Sequence, residues 1–161
     1  MSQRVVEALS NQLNQELRNA YLYLVIASYF DSMGLRGFAN FFKIQAKEEL
    51  GHAMKIYDYI HETGGQPIFS SITLPEIRIS NPREAIEIFY RSEVENSERI
   101  YKLVDLAREV GDKALESFLK WFIDEQVEEV SLARNILDKI KLIGDNTAAL
   151  LVLDSQLAER K

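Results

Sequence analysis

In the stretch Lys47-Glu-Glu-Leu-Gly-His52, a carboxylate and an imidazole stand three residues apart, at Glu49 and His52. On a helix that spacing puts both side chains on one face, one turn apart. Carboxylate oxygens and a ring nitrogen can share a divalent transition cation, and iron, manganese and zinc all suit such a set. Alone, the pair says little. A Glu-x-x-His pair arises by chance on charged helices. A lone Glu in an apolar seam is usually solvated, and a lone His on an apolar face is usually a satisfied core residue. The chain has no cysteine, so disulfides, thiolate zinc sites and iron–sulfur clusters are excluded, and any metal must be held by oxygen and nitrogen. The decisive question is whether other carboxylates reach the same place.

The elements that would bring them there are long helices. Only 7 Gly and 3 Pro occur in 161 residues, and they cluster between segments of helical period. The pattern predicts helices over about 2–32, 37–63, 82–110, 113–143 and 147–157. Asn81 suits an N-cap, Pro82 the first turn, and Glu84 can close a capping box. Asp112 is of N-cap type as well, and the fifth helix follows Asp145-Asn146. The first and third connections are short, so each flanking pair of helices is antiparallel. The connection over 64–81 is long. A helix of this length spans ~42 Å, and an extended segment of ~18 residues can reach ~60 Å. The second connection can therefore return the chain along the whole bundle and leave the second and third helices parallel. The sequence predicts one all-α domain over 1–161, a four-helix bundle with one long crossover and a short fifth helix.

Each long helix, followed at alternating spacings of four and three, is apolar at both ends and carboxylate-bearing in the middle. The first seam includes Leu9, Leu13, Glu16, Tyr23 and Phe30. The second includes Phe38, Phe42, Gln45, Glu49, His52 and Ile56. The third includes Ile86, Phe89, Glu93, Asn96 and Ile100, and the fourth Leu119, Phe122, Gln126, Glu129 and Ile136. At an offset of 77, Glu16 matches Glu93, Phe41 matches Phe118 and Glu48 matches Glu125, so the halves form a weak internal repeat. Four interior carboxylates would repel, and each buried charge costs several kcal/mol even after relaxation. No Lys or Arg lies on the seams to offset them. Protonation would relieve one or two and bound divalent cations all four, and the coincidence of four helices favours metal over the bland reading of each residue singly. A metal-free interaction module would show one interior carboxylate at most.

The bulk numbers exclude other classes. Hydrophobic residues make up 47% and charged residues 27%, which are ordinary globular values. The net charge of −6 disfavours nucleic-acid binding, which needs a basic surface, and suits attraction of cations. The longest apolar run, Tyr21 to Ala27, is too short for a membrane span. No secretory pattern is visible in MSQRVVEAL, and a cytoplasmic location is expected. Phe38, Phe41, Phe42 and Phe89 read as core packing, and His61 as a solvated helix-end residue.

On the helix lengths, the crossover, the fifth helix and the stretches NQELRNAYLYL, AKEELGHAMKIYDYI and FLKWFIDEQVEE, the whole chain resembles the ferritins, specifically the non-haem bacterial and archaeal kind. The resemblance implies a ferritin-like bundle with a di-iron centre. One iron would use Glu16, Glu49 and His52. A second would use Glu49 as a bridge with Glu93 and Glu129, with Gln126 close by. A third, looser site looks like Glu48, Glu125 and Glu128, sharing Glu129. Tyr23 and Trp121 match aromatic positions that can supply an electron, although packing is the commoner role for Trp121. Related families are separable on this sequence. The second half reads Gln126-Val-Glu-Glu129, without the second His of bacterioferritins and many di-iron oxygenases. Leu50 stands where bacterioferritins place a haem-ligating Met, so no haem is expected. The cysteine-rich domain of rubrerythrins is missing, and the mini-ferritins that protect DNA lack this in-bundle set. Val130 departs from relatives that continue the acidic run.

What the resemblance implies is iron storage with ferroxidase activity: Fe(II) oxidised by dioxygen or peroxide, then held as ferric mineral in a hollow homo-oligomeric shell of 24 subunits. The fifth helix would pack at a symmetry axis. The alternative is a di-metal oxidase or peroxidase without storage, acting on a small organic substrate. No nucleic-acid or membrane partner is expected.

Overall fold

A computed structural model describes all 161 residues. Five helices follow in order: α1 (Gln3–Ser32), α2 (Arg36–Glu62), α3 (Pro82–Glu109), α4 (Lys113–Ile143) and α5 (Thr147–Ala158). Four of the five N-termini are capped by side chains, those of α3 and α4 by the residues expected from sequence. Ser2, Asn81, Asp112 and Asn146 each accept a backbone N–H from the first turn. Glu84 does not close the capping box on Asn81; its carboxylate accepts from the N–H of Ser80 at 3.4 Å instead. The turns after α1 and α3 run through Gly34 and Gly111, with φ of 75° and 69°. That left-handed backbone is cheap only for glycine, and it lets Leu35 and Asp112 donate back to Phe30 and Ala107.

Helix α1 packs along α2 and α3 along α4, with α1 also touching α3. The 64–81 crossover has no regular structure, and α1 supplies it with hydrogen-bond partners. Ser10 Oγ accepts from Ile68 N, Asn14 Nδ2 donates to Ile68 O, and Arg18 Nε donates to Thr73 O. Residues 10, 14 and 18 are one turn apart, so they form a polar ladder. The crossover climbs this ladder in the direction of α1, which starts α3 at the far end and makes α3 parallel to α2.

Two apolar clusters fill the bundle. One, around Phe30, Phe38, Phe42, Phe89 and Ile136, closes the end where α1 meets α2. Its rings interlock: Phe30 stacks on Phe38 at 4.5 Å, and Phe42 meets Phe89 edge-on at 5.1 Å. The other, around Leu9, Leu13, Ile56, Ile100 and Phe122, closes the opposite end. Burial of such a side chain is worth about 1.5–3 kcal/mol. The interval between the clusters holds the buried polar residues.

Helix α5 lies against the start of α2. Leu153 enters the first cluster, and Asp154 Oδ1 accepts from Phe38 N at 2.9 Å. Gly37 makes the close approach possible, since a Cβ there would fall 1.7 Å from the Asp154 carbonyl oxygen. The obstructing atom is backbone, so α5 must shift to relieve it. Gly37→Ala is therefore expected to lower stability by about 1–3 kcal/mol, read by denaturant unfolding, with increased proteolysis after Gly144. Unchanged stability would contradict this account of the docking.

Candidate metal centre

Glu16 from α1, Glu49 and His52 from α2, Glu93 from α3 and Glu129 from α4 all lie buried between the two apolar clusters. Each sits on the predicted seam, and the apolar ends of each helix fix its rotation. His52 Nδ1 stands 3.7 Å from Glu16 Oε2 and 3.5 Å from Glu49 Oε2. Donors at that separation suit an ion bonded to each at ~2.0–2.2 Å. These three residues form one converging group. Glu16 Oε2, both Glu49 oxygens and His52 Nδ1 are buried without a hydrogen-bond partner. Leaving such atoms unpaired is costly, and a shared cation would satisfy all four. The donor set therefore fits a metal ion of the carboxylate–imidazole class.

Glu93 and Glu129 approach from the other helix pair and are held by polar neighbours. The Tyr23 hydroxyl donates to Glu93 Oε1 at 2.5 Å, and Gln126 Nε2 donates to Glu93 Oε2 at 3.2 Å. Gln45 Nε2 donates to Glu129 Oε2 at 2.8 Å. Gln12 Nε2 donates to Glu16 Oε1 at 3.0 Å and to Asn96 Oδ1, and Asn96 Nδ2 reaches Gln126 Oε1 at 3.2 Å. These amides hold the carboxylates in place without neutralising them. Sequence reasoning assigned no role to Gln12, Gln45 or Asn96. Gln45 and Asn96 sit in the seams one turn from Glu49 and Glu93, and that placement was the available signal.

The electrostatics show the strain of this arrangement. Burial pushes Glu49 well above the usual carboxylate range, and the Glu16, Glu93 and Glu129 charges add to it. Burial raises Glu129 to about 8, with help from the Glu93 charge. Glu93 is raised by burial, although the Tyr23 hydrogen bond opposes this. Glu16 goes the other way: burial pushes it up, but the adjoining Glu49 and His52, with the Gln12 hydrogen bond, prevail and lower it. Burial lowers His52, and the adjoining Glu16 outweighs that and raises it. Burial and the Glu93 charge keep the Tyr23 hydroxyl protonated far above its ordinary range.

A second converging group lies toward the surface: Glu48, Glu125 and the buried Glu129. Glu125 Oε1 also stands 3.7 Å from His52 Nε2, so the two groups adjoin through His52 and Glu129. Glu128, named with this set on sequence grounds, is exposed and stands outside the group. Val130 instead lines a groove between α3 and α4 with Tyr90, Val94 and Tyr101. Trp121 is 39% exposed, meets His52 edge-on at 5.4 Å and carries Lys55 Nζ 4.2 Å above its ring.

Helices that converge acidic and imidazole donors on a buried interval define a metal-binding helical bundle. Residues 6–143 match the family model described as a ferritin-like domain, and the chain belongs to the ferritin family. It is 41% identical over 160 residues to a bacterial non-heme ferritin of Staphylococcus epidermidis, covering 99% of this chain and 96% of that one. A Staphylococcus aureus bacterial non-heme ferritin is 39% identical over the same length, again covering 99% and 96%. Among solved structures, an open-pore ferritin of the archaeon Archaeoglobus fulgidus superposes with a TM-score of 0.98 at 44% identity, covering 100% of this chain and 98% of that one. A closed form engineered from it gives 0.97 at 45%, with the same coverage. The fold expected from sequence is thus the observed one.

Glu49, Glu93 and Glu129 hold protons more tightly in the folded chain than their ordinary value of 4.5. The stabilisation that this provides is complete below that value. It is lost as pH rises through the folded values, about 8 for Glu129. The melting temperature of the metal-free protein is therefore expected to fall between about pH 5 and pH 8. Saturating Zn(II) should restore it at the upper end, and Glu129→Gln should flatten the decline. Calorimetry across that range checks this; a melting temperature that climbs steadily with pH would contradict it.

Proposed function

We propose that this protein is an iron-storage ferritin whose bundle oxidises Fe(II), the substrate, at a paired site within each subunit. The carrying observation is the buried convergence of Glu16, Glu49 and His52 with four donor atoms left unpaired. In this reading Glu16, Glu49 and His52 take one iron. Glu49 bridges to a second, held by Glu93 and Glu129, with the metals ~3.5–4 Å apart as in other two-metal sites. Hard carboxylate donors favour Fe(III) over Fe(II). Two Fe(II) together give two electrons to dioxygen, which takes up two protons and leaves as hydrogen peroxide. With peroxide as oxidant, the same two electrons and two protons yield two waters. Either route avoids free superoxide.

The protein groups have distinct tasks. Cation entry competes with the protons that burial favours on Glu49, Glu93 and Glu129. Gln45, Gln12 and Asn96 aim the carboxylates. Gln126 steadies Glu93 from the position that matches Glu49 in the first half, while Glu129 stands where a second imidazole would tighten the site. Tyr23 is placed to give up an electron with its proton passing to Glu93 Oε1. Trp121, beside His52, is a second candidate donor. The outer group of Glu48, Glu125 and Glu129, with Glu128 further out, would receive ferric product on its way to the mineral.

One bundle has no room for mineral, so storage needs a hollow homo-oligomer, for which 24 subunits is the arrangement that the family resemblance implies. Helix α5 supports such assembly: Leu151 and Val152 are exposed on it, and only Leu153 is buried. No helix is long and apolar enough to cross a membrane, and the proposed location is the cytoplasm. The proposed centre is non-haem, Leu50 replacing the expected Met ligand. The whole chain, 1–161, is proposed to act as one domain.

Aerobic Fe(II) addition to the metal-free protein tests this reading. The expected result is rapid growth of ferric absorbance and soluble retention of many irons per chain. Glu49→Ala and His52→Ala should slow the first turnover by at least about tenfold, as expected for loss of a direct ligand. Retention of two irons per chain without mineral would favour a non-storage oxidase. Unchanged rates in both variants would sink the site assignment.

A further inference from the structure

Beyond α5 the chain turns back to α2 and places Arg160 against the outer acidic group. Its Nη2 stands 3.0 Å from Glu48 Oε1. The guanidinium carbon lies 4.5 Å from the centre of the Phe41 ring, and the Arg160 backbone oxygen accepts from Asn40 Nδ2 at 3.1 Å. A stacked, backbone-tethered guanidinium pairs with a carboxylate at little further entropic cost. Its side chain is 22% exposed and that of Glu48 38%, so the pair is partly desolvated. Lys161, the next residue, makes no ion pair.

We propose that Arg160 is a built-in competitor for Glu48, which lowers the affinity of the Glu48–Glu125–Glu129 group for cations so that iron passes through it instead of lodging there. This inference rests on the proposed function, in which ferric product crosses that group. A cation that takes Glu48 must displace the guanidinium or share the carboxylate with its positive charge. Displacement carries its own penalty. Nη1 is already buried without an acceptor, and losing Glu48 would leave Nη2 unpaired too. Glu125 and Glu129 have no such competitor: Glu129 is held by the neutral Gln45, and Glu125 faces His52. Arg160 thus singles out one carboxylate of three, and the group keeps two free donors for transit.

Tb(III), a hard oxygen-seeking ion, is a suitable probe, because Trp121 on the same helix as Glu125 and Glu129 can sensitise its emission. Titration of the metal-free full-length protein is expected to show binding about twofold to fivefold tighter in Arg160→Gln than in wild type, the range for a partly exposed ion pair. Lys161→Gln removes the same charge without a pair and should change binding less. Arg160→Lys keeps the charge but loses the fork and stacking and should fall between wild type and Arg160→Gln. In a Glu48→Gln background, Arg160→Gln should have no effect, which assigns the coupling to this pair. If wild type binds Tb(III) but Arg160→Gln binds equally or more weakly, or no better than Lys161→Gln, the role of Arg160 is overturned while the outer group stands. If neither wild type nor Glu48→Gln shows sensitised binding, the outer group and the inference built on it both fall.

Discussion

Acidic side chains held in a dry interval between two apolar clusters are the constraint on which the rest depends. Water cannot solvate them there, and the seams offer no Lys or Arg to neutralise them. Protons or metal cations are the remaining partners. In the metal-free chain burial shifts Glu49, Glu93 and Glu129 toward their protonated forms. That state is unstable toward any divalent ion, because the unpaired oxygens and the His52 nitrogen already converge. Affinity for iron is thus stored in the fold as unsatisfied electrostatics.

The flanking architecture keeps that interval from collapsing or flooding. Interlocked rings of Phe30, Phe38, Phe42 and Phe89 seal one end, and Leu9, Leu13, Ile100 and Phe122 seal the other. Close-packed ends of this kind resist sliding of one helix past another, so the donors keep their separations. The amides of Gln12, Asn96 and Gln126 bond one another, and together with Gln45 they aim the carboxylates. They do so without adding charge, which leaves the demand for a cation intact. The graded exposure from Glu16 and Glu49, through Glu129, to Glu48 and Glu125 gives that demand a direction, from the bundle interior toward its surface.

Much of this was legible in the residue pattern. Helix limits followed from Asn81, Asp112 and the glycine turns, because caps and left-handed backbone are local chemistry. The inward turn of Glu16, Glu49, His52, Glu93 and Glu129 followed from their phase with Leu, Ile and Phe, because a helix has one period and must bury its apolar stripe. The capping role of Glu84 was misjudged by one residue, a difference that loop geometry makes and composition does not carry. The ladder of Ser10, Asn14 and Arg18 passed unread, since its partners are backbone atoms of a segment without periodicity.

Sequence alone determined that helical rods would bring carboxylates together, since spacing along a helix converts directly into a face. Tertiary structure decided the rest: that Glu125 and Glu129 join Glu48 while Glu128 does not, that Gln45 and not Gln126 holds Glu129, and that Arg160 returns more than a hundred positions along the chain to Glu48. Those choices depend on how far helices approach and how side chains meet across them. Ångström-scale distances between separate elements are set by packing of the whole molecule, and no local run of residues encodes them.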